Sequence, residues 1–174
     1  MVTLIWCVSE MRGNSQIPRS GSWWVLQGTG WLLLAYLTYA QLIPAFNYER
    51  GVQMGTQESA GQITEVGVAF FKGFAFGDLV TYAPLLFAGL VGHFLRRQWG
   101  QIAFAAALGI TVYWPVVCLA AVVSAQDAEG WMLGSPIAYW IVLPIITLWG
   151  VWGLRALLKE GQLATKGGQN GFES

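Results

Sequence analysis

Residues 66–95 read VGVAFFKGFAFGDLVTYAPLLFAGLVGHFL, and among these positions only Lys72, Asp78 and His93 bring a formal charge or a basic ring. A run of this length and greasiness exceeds the roughly 20 residues that a helix needs to cross hydrocarbon. Lipid offers the backbone no hydrogen-bond partner, so a spanning segment of this kind is driven into a helix. Alternating apolar and polar positions, the mark of a barrel strand, are absent from it.

Three further runs repeat the pattern: Trp23–Phe46, Ile102–Ala125 and Trp131–Leu158. The whole chain has 174 residues, 55% hydrophobic and 10% charged. Soluble domains carry about 25% charged residues, so this chain lacks the polar surface that water requires. The reading is an all-α, polytopic integral membrane protein, four transmembrane helices in an antiparallel bundle. Its partner is then the lipid bilayer. Formal net charge is zero, which leaves no basic field for nucleic acid. Cys7 and Cys118 stand far apart in no metal-binding spacing, so neither a metal nor a cofactor is expected.

Charge orients the bundle. Arg12 and Arg19 precede the first run, Arg96 and Arg97 separate the second from the third, and the end of the fourth and the tail after it carry Arg155, Lys159 and Lys166. The other two connections are dominated by Glu49, Glu58, Glu65, Asp127 and Glu129 against Arg50. The positive-inside rule then puts both termini in the cytoplasm, N-in and C-in, across a bacterial-type plasma membrane. Residues 1–22 become a cytoplasmic arm, in which Met11 is an alternative start to Met1. Residues 47–65 form the one long extracytoplasmic loop, and 161–174 a polar, Gly-rich tail that reads as mobile. Ser59 or Thr64 is placed to cap the second helix. Begun at Glu65, that helix has about 31 residues and a length of about 46 Å, so it must tilt, bend or project.

Asp78 is the residue most in need of an explanation. A carboxylate in a spanning helix costs about 2.5–3.5 kcal/mol near the bilayer centre, so it should face protein and find a partner. Thr81 and Tyr82 stand three and four positions on and share its face. Counting depth along the other runs places Tyr39, Tyr113 and Trp140 near the same level. Asp78, Thr81, Tyr82, Tyr39, Tyr113 and Trp140 are therefore the candidate intramembrane polar centre. Pro84, Pro115 and Pro144 free the carbonyls of Val80, Thr111 and Trp140 beside it and should kink three helices. His93, beside Arg96 and Arg97, reads as a structural residue of the membrane boundary.

Small residues recur at four-residue spacing: Gly73 and Gly77, Ala88 and Gly92, Ala105 and Gly109. Such faces let helices approach closely, within one chain or in a homo-oligomer or larger membrane complex. No GxSxG, HExxH, P-loop or dinucleotide fingerprint occurs. The expectation is an interaction or accessory protein of a membrane assembly rather than an enzyme. The alternatives are a small transporter or proton- or ligand-binding protein centred on Asp78, or a membrane enzyme using it on a lipid-soluble substrate.

Overall fold

The structure, a computed structural model, describes residues 19–133 and 137–170. The proposed start at Met11 and residues 171–174 lie outside them. The described residues are mostly helical, and none of them lies in a strand. In chain order the helices are α1 (Gly21–Leu37), α2 (Ile43–Phe46), α3 (Tyr48–Gln53), α4 (Ala60–Gly77), α5 (Ala83–Phe94), α6 (Gln98–Ala125) and α7 (Ile137–Asn170). Three stretches are long and apolar enough to cross a membrane: Ala60–Phe94, Gln98–Ala125 and Tyr139–Glu160. This marks a membrane protein.

The fourth expected span, residues 23–46, does not form one uninterrupted α-helix. Its α-helical part stops at Leu37, and a π-turn, Thr38–Leu42, joins α1 to α2. The cause is Pro44, which cannot donate to the carbonyl of Ala40 one turn earlier. A second π-turn, Asp78–Tyr82, joins α4 to α5 just before Pro84, and the Ala83 N–H reaches back five residues to the Asp78 carbonyl. Wider turns ahead of a proline let the helix continue where an α-turn would clash. The two π-turns touch one another. Pro115 and Pro144 lie within α6 and α7 without ending either helix.

The connection over residues 47–65 is more ordered than a solvated loop. Asn47 caps α3, its side chain accepting from the Arg50 N–H at 3.1 Å. Tyr48 is buried and donates to the Glu58 carbonyl at 2.9 Å. Burial, with Glu58 and Glu49 nearby, pushes its phenol up to about 12, so this bond persists across the physiological range. The Gln57 amide donates to the Ala40 carbonyl at 3.1 Å, filling the bond that Pro44 removes. Gln57→Leu should therefore lower stability by about 1–3 kcal/mol, the cost of an orphaned buried acceptor, read as a fall in thermal midpoint. Gln57→Glu, which keeps the shape and loses the donor, should fall as far.

Gln62 reaches back to the Ser59 N–H at 2.9 Å, half of a capping box. The backbone then breaks at Thr64 (φ 66°, ψ 168°), and the Thr64 hydroxyl accepts from the Gly67 N–H at 3.4 Å. Ser59 and Thr64 thus cap two successive helical pieces, and the excess length of this span is absorbed by the break between them.

At the opposite end the turn at Leu95–Arg97 closes a tight hairpin of α5 on α6. Gly92 and Gly100 meet backbone to backbone, and a side chain at Gly89 would run 2.6 Å from the Phe104 Cα. The core lies between α1, α5, α6 and α7 and holds Leu26, Leu86, Leu90, Phe104, Leu108 and Leu157. Gly30 and Gly153 are the crossing points that admit Leu90 and Leu108. In lipid such close approach, rather than expulsion of water, holds helices together. The last helix continues through Asn170, where a polar tail was expected from residue 161.

Candidate functional site

Two polar centres sit at opposite ends of the α5–α6 pair. The first surrounds the Asp78 π-turn. Tyr82 is 1% exposed and its hydroxyl bonds to that of Thr111. Thr111 has one proton, which goes to the Ala107 carbonyl at 2.9 Å, so Tyr82 is the donor to Thr111. Asp78 is half-buried, within electrostatic reach of Tyr82 and of the Cys118 thiol. It makes no hydrogen bond or ion pair among the described residues. The Trp114 indole N–H is buried nearby on α6 and has no acceptor among them either.

The rest of the expected centre does not gather there. Tyr39 (50% exposed), Tyr113 (65%) and Trp140 (53%) point out of the bundle, and Thr81 is exposed as well. Depth along a helix sets the level of a residue, whereas the face depends on phase. Each π-turn inserts extra backbone and rotates the helix beyond it. Of the six candidates the structure brings Asp78 and Tyr82 together, and adds Thr111, Trp114 and Cys118 from α6.

The small-residue faces divide. Gly92 is consumed in the hairpin and Ala105 packs against the core. A side chain built at Gly73, Gly77 or Gly109 would meet nothing within 4 Å. Ala88 is half-buried. Gly73, Gly77, Val80 and Thr81 form an uncovered stripe whose edge is Asp78.

The second centre is one that position alone concealed. His93 is 2% exposed and turned inward. Its Nδ1 lies 2.9 Å from the Gln27 amide nitrogen and its Nε2 lies 3.2 Å from the Glu160 carboxylate. Trp31 donates to the Gln27 carbonyl oxygen at 3.1 Å, and the Gln27 amide also donates to the Leu90 carbonyl at 3.1 Å. Those two bonds fix which way the amide faces. Gln27 is thus the donor to Nδ1, and His93 carries its proton on Nε2 and gives it to Glu160. Ser20 (2.9 Å) and Ser22 (3.2 Å) donate to the other oxygen of Glu160.

This network ties the N-terminus of α1, the end of α5 and α7 into one clasp. Trp23 stacks on the imidazole at 5.8 Å, and Phe104 lies tilted against it at 5.4 Å. Arg19 lies over Trp23 at 4.1 Å and over Phe94 at 4.6 Å, a cation–π cap on the same end. A reading of single residues had no signal for it, since Gln27, His93 and Glu160 belong to three separate runs. The one clue in the sequence was a glutamine inside the first apolar run.

No protein-family model, no curated protein and no solved structure matches the chain. What defines its class is the helical fold itself: an all-α membrane protein whose polar groups are gathered into a few internal centres.

Proposed function

We propose that this protein works as an interaction subunit of a membrane assembly, and that the uncovered stripe of α4 and the adjoining π-turn is its contact face. The supporting observation is the combination of open Gly73 and Gly77 with an Asp78 carboxylate that has no partner among the described residues. A carboxylate at the edge of a lipid-facing, small-residue stripe is costly alone and is relieved when another helix brings a donor. In this reading Gly21–Phe46 supplies a fourth span. Its 26 helical positions reach about 39 Å, enough for the hydrocarbon core. Both termini then lie on the cytoplasmic side of a bacterial-type plasma membrane, in keeping with the distribution of Lys and Arg.

A second reading, a proton- or ligand-binding centre at Asp78, draws on the π-turn that carries it, since π-turns concentrate at functional sites. Purification in a mild detergent decides between them. The wild-type chain should migrate as a complex, as a homo-oligomer or with a second membrane protein. Gly77→Leu should release it as a folded monomer, because position 77 faces open space in the monomer. Recovery of the wild type as a bare monomer would sink the assembly reading. The second reading requires instead that Asp78→Asn abolish binding or transport while leaving the oligomeric state unchanged.

A further inference from the structure

Between the outer half of α4 and α6 lies a cavity of about 310 Å³, within the size range of small-ligand pockets. Gly67, Ala121 and Ala125 line it with almost no side chain, and Phe70, Phe71 and Phe74 line it with large rings. It extends from Thr64 and Glu129 at the outer end to Cys118 at the inner end. The ten helical steps from Thr64 to Phe74 make it about 15 Å long. Such a slot is long and narrow, apolar within, and open beside the outer half of two spanning helices. An apolar gap holds no water and forfeits packing energy when empty.

Its mouth is built and acidic. Glu129 lines it and makes no hydrogen bond or ion pair among the described residues, and no lysine or arginine lines the cavity. Glu65 and Asp127, both exposed, flank lining residues in the chain. Thr64, a β-branched residue, holds a backbone conformation that is otherwise nearly confined to glycine. The surroundings over-determine it. The Met132 N–H donates to the Gln62 carbonyl at 2.6 Å, and Gly130, also at positive φ, leaves room for the Thr64 methyl. Strain of this kind persists where a site must keep its shape.

We propose that this cavity binds a single-chain amphiphile with a cationic head, the alkyl chain filling the slot down to Cys118 and the head resting against Glu129. Charge complementarity at the rim selects the cation, and the length and narrowness of the slot select one unbranched chain. The inference is independent of the α4 contact stripe, because the cavity is formed within one copy.

The test uses the full-length protein in phosphatidylcholine nanodiscs and a decyltrimethylammonium probe carrying a diazirine at the chain terminus. Photolysis should label the Phe71–Phe74 and Val117–Cys118 segments. Unlabelled decyltrimethylammonium should compete about fivefold better than decyl sulfate, the preference of a partly exposed ion pair. Glu129→Gln should erase that preference while keeping the labelling. Ala121→Phe, which fills the slot, should cut labelling about tenfold with the thermal midpoint retained. If that variant does not fold, Ala125→Leu serves the same purpose. Equal competition by the cationic and anionic probes, labelling spread along α7 beyond Tyr139, which lines the cavity, or labelling undiminished in a folded slot-filled variant would each overturn the proposal.

Discussion

Gly100→Leu is expected to be the most damaging single substitution in this chain. A side chain at position 100 would fall on the backbone of Gly92 and close to the His93 N–H. Backbone atoms cannot step aside by changing rotamer, so α5 and α6 must separate. Overpacking a tight site costs about 1–3 kcal/mol, and a clash of backbone with side chain lies at or above the top of that range. The loss would reach His93, because the hairpin sets where α5 ends. We expect a thermal midpoint too low for purification of Gly100→Leu, and a large fall for Gly92→Leu. Gly28→Ala is the matched control: position 28 is equally helical but has nothing within 4 Å, so its midpoint should hold or rise. Thermal unfolding of the three variants in one detergent checks this. Equal behaviour at positions 28 and 100 would show that the hairpin is not closed as described.

His93→Ala comes second in expected effect. It opens a void beneath Trp23 and Phe104 and removes the donor to Glu160 and the acceptor for Gln27. Unpaired buried polar groups cost about 1–3 kcal/mol each, and the void adds to this. A fall of about 3 kcal/mol is expected. Glu160→Gln, which keeps the shape and loses the charge, should cost about 1 kcal/mol, since Ser20 and Ser22 can still reach an oxygen. Residues in one network do not behave additively. The double variant should therefore lose less than the sum of the singles, by about 1 kcal/mol. Strict additivity would mean that His93 and Glu160 do not share a bond.

The helices were legible because their causes are local. Apolar length writes a spanning segment, and Arg96 with Arg97 writes the turn between two of them. Ser59 and Thr64 both carried the cap that they supply. The π-turns were legible only in part. Pro84 announced a disturbance, but the same device at Pro44 stands at the end of the first run, and Gln57, which relieves it, lies in what reads as a loop. That omission had consequences for the site. Tyr39 was placed by depth and Thr81 by its spacing from Asp78, and inside the π-turns at 38–42 and 78–82 α-helical spacing no longer fixes the face. Tyr113 and Trp140 show the same limit from the other side, since level alone never says which face a residue occupies. The Tyr82–Thr111 bond and the Gln27–His93–Glu160 clasp join residues from separate runs. Their register depends on glycine contacts such as Gly89 on Phe104, which no periodicity reveals. His93 was read from its arginine neighbours as a structural residue of the boundary, and its phase on α5 turns it inward against Trp23.

The claim that most needs testing is that the Gly73–Gly77–Asp78 stripe is covered by protein in the membrane. A benzophenone amino acid placed at position 77 in native membranes tests it directly, with position 145 on α7, where Ile145 is 61% exposed, as the comparison. Irradiation should give a discrete protein adduct from position 77, of one size and abolished by Gly73→Leu, and no protein adduct from position 145. Lipid adducts alone from both positions would contradict the account.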